Sequence, residues 1–155
     1  MKKTALILLA ILTFANAEFE RKSTGVVIDH KTKLEWQDDY SASADDDDSE
    51  SIAYLNWSSA LTYCNTLKLD GGGWRLPNIN ELKSLIVDKV APTIDGEFEN
   101  ASTSHYYWSS TALAHNSRQA WYINFNNAII HYNINNSNTT KSSYSLYVRC
   151  VRAGQ

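Results

Sequence analysis

Hydrophobic and polar positions alternate, recur and alternate again along this chain, and that sequence of periods predicts its elements. From Gly25 the text reads "GVVIDHKTKLEWQ". Val26, Val27 and Ile28 are strand formers, Asp29 to Lys33 carry turn chemistry, and Leu34 and Trp36 then alternate with polar neighbours. This predicts a hairpin with Leu34 and Trp36 facing the core. After an acidic stretch, Trp57, Ala60, Leu61, Cys64 and Leu67 recur at helical spacing, behind an Asn56 suited to cap the first turn. Gly71 to Gly73 then end the helix and turn the chain. Trp74, Arg75 and Leu76 read as extended before Pro77. Asn78 and Glu81 have capping-box spacing. Ile79, Leu82, Leu85 and Ile86 mark a second helix, expected to run to near Val90 because Pro92 stops it.

From Tyr106 the period shortens to two. Tyr107 and Trp108 lead one strand, and Trp121, Ile123 and Phe125 alternate in the next. Asn126 and Asn127 supply a turn, and Ile129 and Ile130 start a strand expected to reach Tyr132 and Ile134. Tyr147, Val148, Cys150 and Val151 form the last strand, expected to return beside the first and bring the chain ends together. Two strands, two helices and a run of strands describe an α+β domain with an antiparallel sheet.

The start of the chain has a different character. Lys2 and Lys3 precede an apolar run from Ala5 to Ala15, and Ala15-Asn16-Ala17 fits a small-x-small cleavage site. Residues 1–17 therefore read as a secretory signal peptide, too short to span a bilayer, and 18–155 as one mature domain. No second apolar segment predicts a membrane span. Export places Cys64 and Cys150 in an oxidising compartment, where a disulfide is the default and two buried thiols the alternative. The chain has 14 basic and 17 acidic groups, and loss of Lys2 and Lys3 with the leader leaves 12 against 17. That balance argues against nucleic acid as a partner.

Candidate chemistry is sparse. The glycine run lacks the Lys-Ser or Lys-Thr of a phosphate loop. Arg75 fits a structural role better than a ligand role, its guanidinium bonded to a carboxylate or loop carbonyls. No G-x-S-x-G or H-E-x-x-H occurs, and His30, His105, His115 and His131 are scattered. The expectation is a protein that is not an enzyme and holds no cofactor. Asp45, Asp46, Asp47 and Asp48 lie in an acidic loop that calcium could occupy, although neighbours in one run seldom converge on an ion. Trp36, Trp57, Trp74, Trp108 and Trp121 occupy expected core positions. Tyr106, Tyr122, Tyr132 and Tyr144 are the expected surface rings. Asn133, within the Asn-rich stretch from Asn124 to Asn138, adds a polar handle for a ligand.

Several segments together carry a resemblance: "KTKLEWQDD", Ala60-Tyr63-Cys64-Leu67 leading to "WRLPNINELKSLI", "YWSST", "AWYINFNNAII" and "YVRCVR". The chain resembles the Lcl C-terminal domain family from about Gly25 to Arg152. The family is similar to C-type-lectin-like folds. The resemblance implies two helices packed on a twisted antiparallel sheet with long loops, and a disulfide from helix to last strand where Cys64 and Cys150 stand. It also implies an exported bacterial protein, periplasmic, surface-bound or secreted. Some members are adhesins for host glycans or matrix. The Glu-Pro-Asn, Gln-Pro-Asp and Trp-Asn-Asp motifs of calcium-dependent lectins do not occur. The expected function is an exported, adhesin-like binding module that recognises a protein or glycan partner through its loop face, the alternative being a structural component of a bacterial envelope or surface assembly with no free ligand.

Overall fold

The computed structural model describes residues 18–40, 53–87, 91–102, 104–131 and 144–154. Among these residues the chain is a mixed α+β domain with two α-helices and two sheets, and strands predominate. The first sheet holds β1 (Phe19–Arg21), β2 (Val26–Asp29), β3 (Leu34–Gln37) and β9 (Val151–Ala153), in the order β1-β2-β3-β9. The second holds β4 (Tyr54–Asn56), β5 (Tyr106–Leu113), β6 (Asn116–Asn124), β7 (Ile129–His131) and β8 (Ser145–Tyr147), in the order β4-β8-β5-β6-β7. The pairings are antiparallel except β5 with β8, which is parallel. The single antiparallel sheet expected from the strand order is therefore replaced by two. The cause lies near the C-terminus. The expected last strand divides into β8 and β9, which pair in different sheets, and Cys150 lies between them.

Helix α1 (Trp57–Thr66) begins at Asn56, whose side chain accepts from the Ser59 amide at 2.9 Å. It ends at Thr66, five residues before the first glycine of the triplet, and a 3-10 turn (Leu69–Gly71) leads into that glycine. Asp70, Gly71, Gly72 and Gly73 all have positive φ, so the chain reverses through four consecutive left-handed residues. Helix α2 (Ile79–Ser84) opens on a complete capping box. Asn78 accepts from the Glu81 amide at 2.9 Å, and Glu81 accepts from the Asn78 amide at 2.8 Å. It stops at Ser84, well short of Val90. Ile86 instead forms an antiparallel bridge to Ile94, and the Val87 amide donates to Thr93.

The middle strands bury both faces, while the outer strands keep exposed positions such as Tyr54 and Ile129. Val26 joins a core cluster with Ala60, Cys64, Trp74, Trp108, Tyr122 and Val148. Its neighbour Val27 joins another with Trp36, Leu82, Tyr107, Ile123, Phe125 and Val151. Helix α1 packs on the first cluster and α2 on the second. Cys64 and Cys150 are joined in a disulfide with Cα atoms 5.5 Å apart, fully buried in the first cluster. Gln37 brackets this bond: its amide donates to the Cys150 carbonyl at 3.0 Å, and its Oε1 accepts from the Cys150 amide at 3.3 Å. No described helix is long and apolar enough to cross a membrane.

Candidate aromatic binding surface

Strand β5 ties the two halves of the molecule together. Its Ser110 amide donates to the Pro77 carbonyl, and the Thr111 hydroxyl accepts from the Ile79 amide, which fixes the start of α2. The Ser109 hydroxyl donates to Trp121, while the Ser109 carbonyl accepts from the Trp57 indole at 2.8 Å. The Trp108 indole donates to Leu55 on β4 at 2.9 Å. These bonds leave the residues before β5 at one end of the second sheet.

Two buried ionic clusters lie within the fold. Arg149 is 0% exposed and donates to Asp38 and to the Gln37 carbonyl, each at 2.7 Å, and to Asn100 at 3.0 Å. Its guanidinium lies 4.7 Å from the Phe98 ring centroid and 5.8 Å from that of Tyr107. Asp38 also receives Arg21 and the Asn100 amide. Burial pulls the Arg149 pKa down, but nearby Tyr40 and Asp38 outweigh it and hold the pKa above its usual range. Burial pushes the Tyr40 hydroxyl well up. In the second cluster Arg152 bonds Glu35 at 2.6 Å, Asp70 at 2.7 Å and the Asp70 and Gly72 carbonyls, with the Trp74 ring 4.4 Å beneath it. Burial raises the Glu35 pKa, but hydrogen bonds from Lys22 and Arg152 hold it below the usual carboxylate range. Both clusters are consumed by structure.

The lateral register of the second sheet sets Tyr54, Tyr147 and Tyr107 in one row across β4, β8 and β5. Tyr107 is buried, Tyr147 half-buried, and Tyr54 55% exposed. Tyr54 meets Tyr147 edge to face at 5.4 Å. The exposed His105 ring stands against Tyr147 at 4.8 Å and 80°. The hydroxyls of Ser102 and Ser104 reach His105 Nδ1 at 3.2 and 2.8 Å.

The sequence matches the Lcl C-terminal domain over residues 25–152. The chain belongs to the Lcl C-terminal domain family. No curated protein matches it. Family membership and the disulfide are consistent with an exported protein.

In this Lcl C-terminal domain the sequence-predicted residues are distributed as follows. Tyr106, Tyr122 and Tyr144 come together on the first core cluster, with Tyr106 and Tyr122 rings 5.1 Å apart. Tyr122, expected on the surface, is 2% exposed. The reason is that β6 has no solvent face here: Ile123 and Phe125 enter one cluster and Tyr122 the other. Burial, with Tyr106 and Tyr144 close by, pushes its hydroxyl pKa far up. Tyr106 and Tyr144 are half-buried. Tyr132, Asn133 and the calcium candidates Asp45 to Asp48 lie outside the described residues, as does the expected signal peptide at 1–17. Trp36, Trp74 and Trp108 are buried, while Trp57 and Trp121, expected in the core, are half-buried, Trp57 at the margin of the first cluster. Arg75 forms a bidentate pair with Glu81 at 2.5 and 2.8 Å. Sequence reading missed Tyr54, Tyr147 and His105. Only strand register reveals that row, because the three residues are far apart along the chain.

Proposed function

We propose that this domain is an exported, non-enzymatic binding module, adhesin-like in role, which recognises a protein or glycan from the end of its second sheet. The observation that carries this reading is the solvent-facing aromatic group of Tyr54, Tyr147 and His105. Exposed rings beside hydroxyls combine apolar area with hydrogen-bonding capacity, the composition of recognition surfaces. The described ionic clusters, by contrast, are engaged within the fold. The Ser104–His105 contact joins sequence neighbours, and no described carboxylate bonds that imidazole, which supports a binding role over nucleophilic catalysis. A C-type-lectin-like architecture is part of the proposal. It is supported by the disulfide from α1 to the segment before the last strand, and by the return of β9 to the N-terminal hairpin.

The test is a glycan array at several pH values, run beside capture of envelope proteins by the purified mature domain. Saturable binding to a defined sugar or protein that Tyr54→Ala weakens supports the module. A blank array with a fixed set of envelope partners insensitive to Tyr54→Ala would instead make the domain a structural part of an envelope assembly.

A further inference from the structure

We propose that the Tyr54–Tyr147–His105 group is a cradle for one ring of an uncharged carbohydrate, bound without calcium. The inference rests on the binding-module reading above and names the ligand class of that surface. Tyr147 forms the floor. Tyr54 and His105 each meet its ring edge to face, inclined 68° and 80° to its plane. Rings inclined in this way offer no flat slot for stacking an extended aromatic ligand. The floor is rigid, because Tyr147 packs on buried Tyr107 at 5.7 Å. A sugar ring offers what this geometry receives: an apolar C–H face for the aromatic rings and hydroxyls at its rim.

The rim of the cradle is polar but not ionic. Ser102 and Ser104 place hydroxyls beside His105 Nδ1. A serine hydroxyl donating to Nδ1 puts the ring hydrogen on Nε2, which has no partner among the described residues and can serve a sugar hydroxyl. None of the five side chains is a carboxylate, so nothing in the cradle would hold a hard cation. None is a lysine or arginine, and Arg149, stacked on Tyr107, is fully buried and bonded to Asp38. The chain as a whole carries net negative charge. An anionic sugar would therefore meet no compensating charge among the described residues of the group and an unfavourable net field.

The experiment uses the mature domain on an array of neutral, acidic and amino sugars, followed by titration calorimetry of the best neutral ligand. Binding is expected to persist in EDTA. Tyr54→Ala and His105→Ala, both at exposed positions, should each weaken it about tenfold or more, the loss of a central contact. Tyr54→Phe should stay near the parent, since the ring does the stacking. Ile129→Ala, exposed at the far edge of the same sheet, should leave affinity unchanged. Thermal melts should match the parent for all four variants. Binding only to charged sugars, loss in EDTA, or full affinity in both Tyr54→Ala and His105→Ala would overturn the assignment. A blank neutral array with a protein partner sensitive to Tyr54→Ala overturns the sugar and keeps the module. A blank result on both sides overturns both.

Discussion

At the scale of single residues the molecule is governed by a few side chains whose importance burial creates. Arg149 and Asp38 form a fully buried ion pair, and Arg149 bonds two separate segments, at Gln37–Asp38 and at Asn100. Arg149→Met leaves Asp38 with Arg21, and breaking such a buried pair typically costs about 3–5 kcal/mol. The unfolding free energy from urea titration should fall by that order. Combined with Asp38→Asn, the loss should be smaller than the two single losses together, because the second change no longer breaks this pair. An additive double variant would show that the pair is not coupled. None of this was legible in the sequence. Arg149 stands in a short "YVRCVR" text where arginines read as surface charge, and its partners lie more than a hundred residues upstream or on the loop at Asn100. Gly25 is another case. A methyl group there would meet the Asp39 Cβ at 2.3 Å, and φ is +73°. Gly25→Ala should therefore destabilise the hairpin that follows, measured as a lower melting temperature.

At the scale of elements, local signals were legible where the partner is a neighbour in sequence. The caps of both helices could be read because Asn56 bonds three residues ahead and Asn78 pairs with Glu81. The end of α2 could not, because the bridge of Ile86 to Ile94 replaces helical bonding. The stretch from Gly71 to Glu81 acts as a joint. Trp74 is buried, donates to the Leu69 carbonyl at 2.7 Å and lies under Arg152. Trp74→Ala should cost roughly 3–5 kcal/mol, read by thermal melt and circular dichroism. A variant that melts like the parent but loses ligand would make the stretch a site. Glu81 gives this joint a pH signature. Burial raises its pKa, but the Arg75 hydrogen bond and the Asn78 amide outweigh it and hold it below the usual range. A depressed carboxylate binds fewer protons folded than unfolded, so its contribution is complete above the ordinary glutamate value of about 4.3. It is lost as pH falls through the lower folded value. The parent should lose stability below about pH 4, and Glu81→Gln should show a shallower decline. Equal slopes would deny Glu81 that part.

For the whole molecule, the disulfide spans 86 residues of sequence and pins α1 to the segment between β8 and β9. Chain-entropy arithmetic for a loop of that length gives roughly 4–5 kcal/mol. Cys64→Ser should lose about that much stability while Tyr54, Tyr147 and His105 keep their arrangement. Peptide mapping without reductant should recover Cys64 joined to Cys150. The pairing itself could be anticipated from two cysteines in a chain expected to be exported. The division of the strands into two sheets could not, because period-two patterning records faces and not partners, and in the middle strands both faces are covered. That division also bears on time. Residues 145–153 complete the second sheet with β8 and then the first with β9, whose partner β3 lies more than a hundred residues earlier. A chain emerging from its amino end cannot close either sheet until its last stretch arrives. The domain should remain open to proteases until its last stretch is in place and become resistant in one late step. A chain cut before Val151 should show no protease-resistant core, whereas resistance in that fragment would mean the first sheet closes without its final strand.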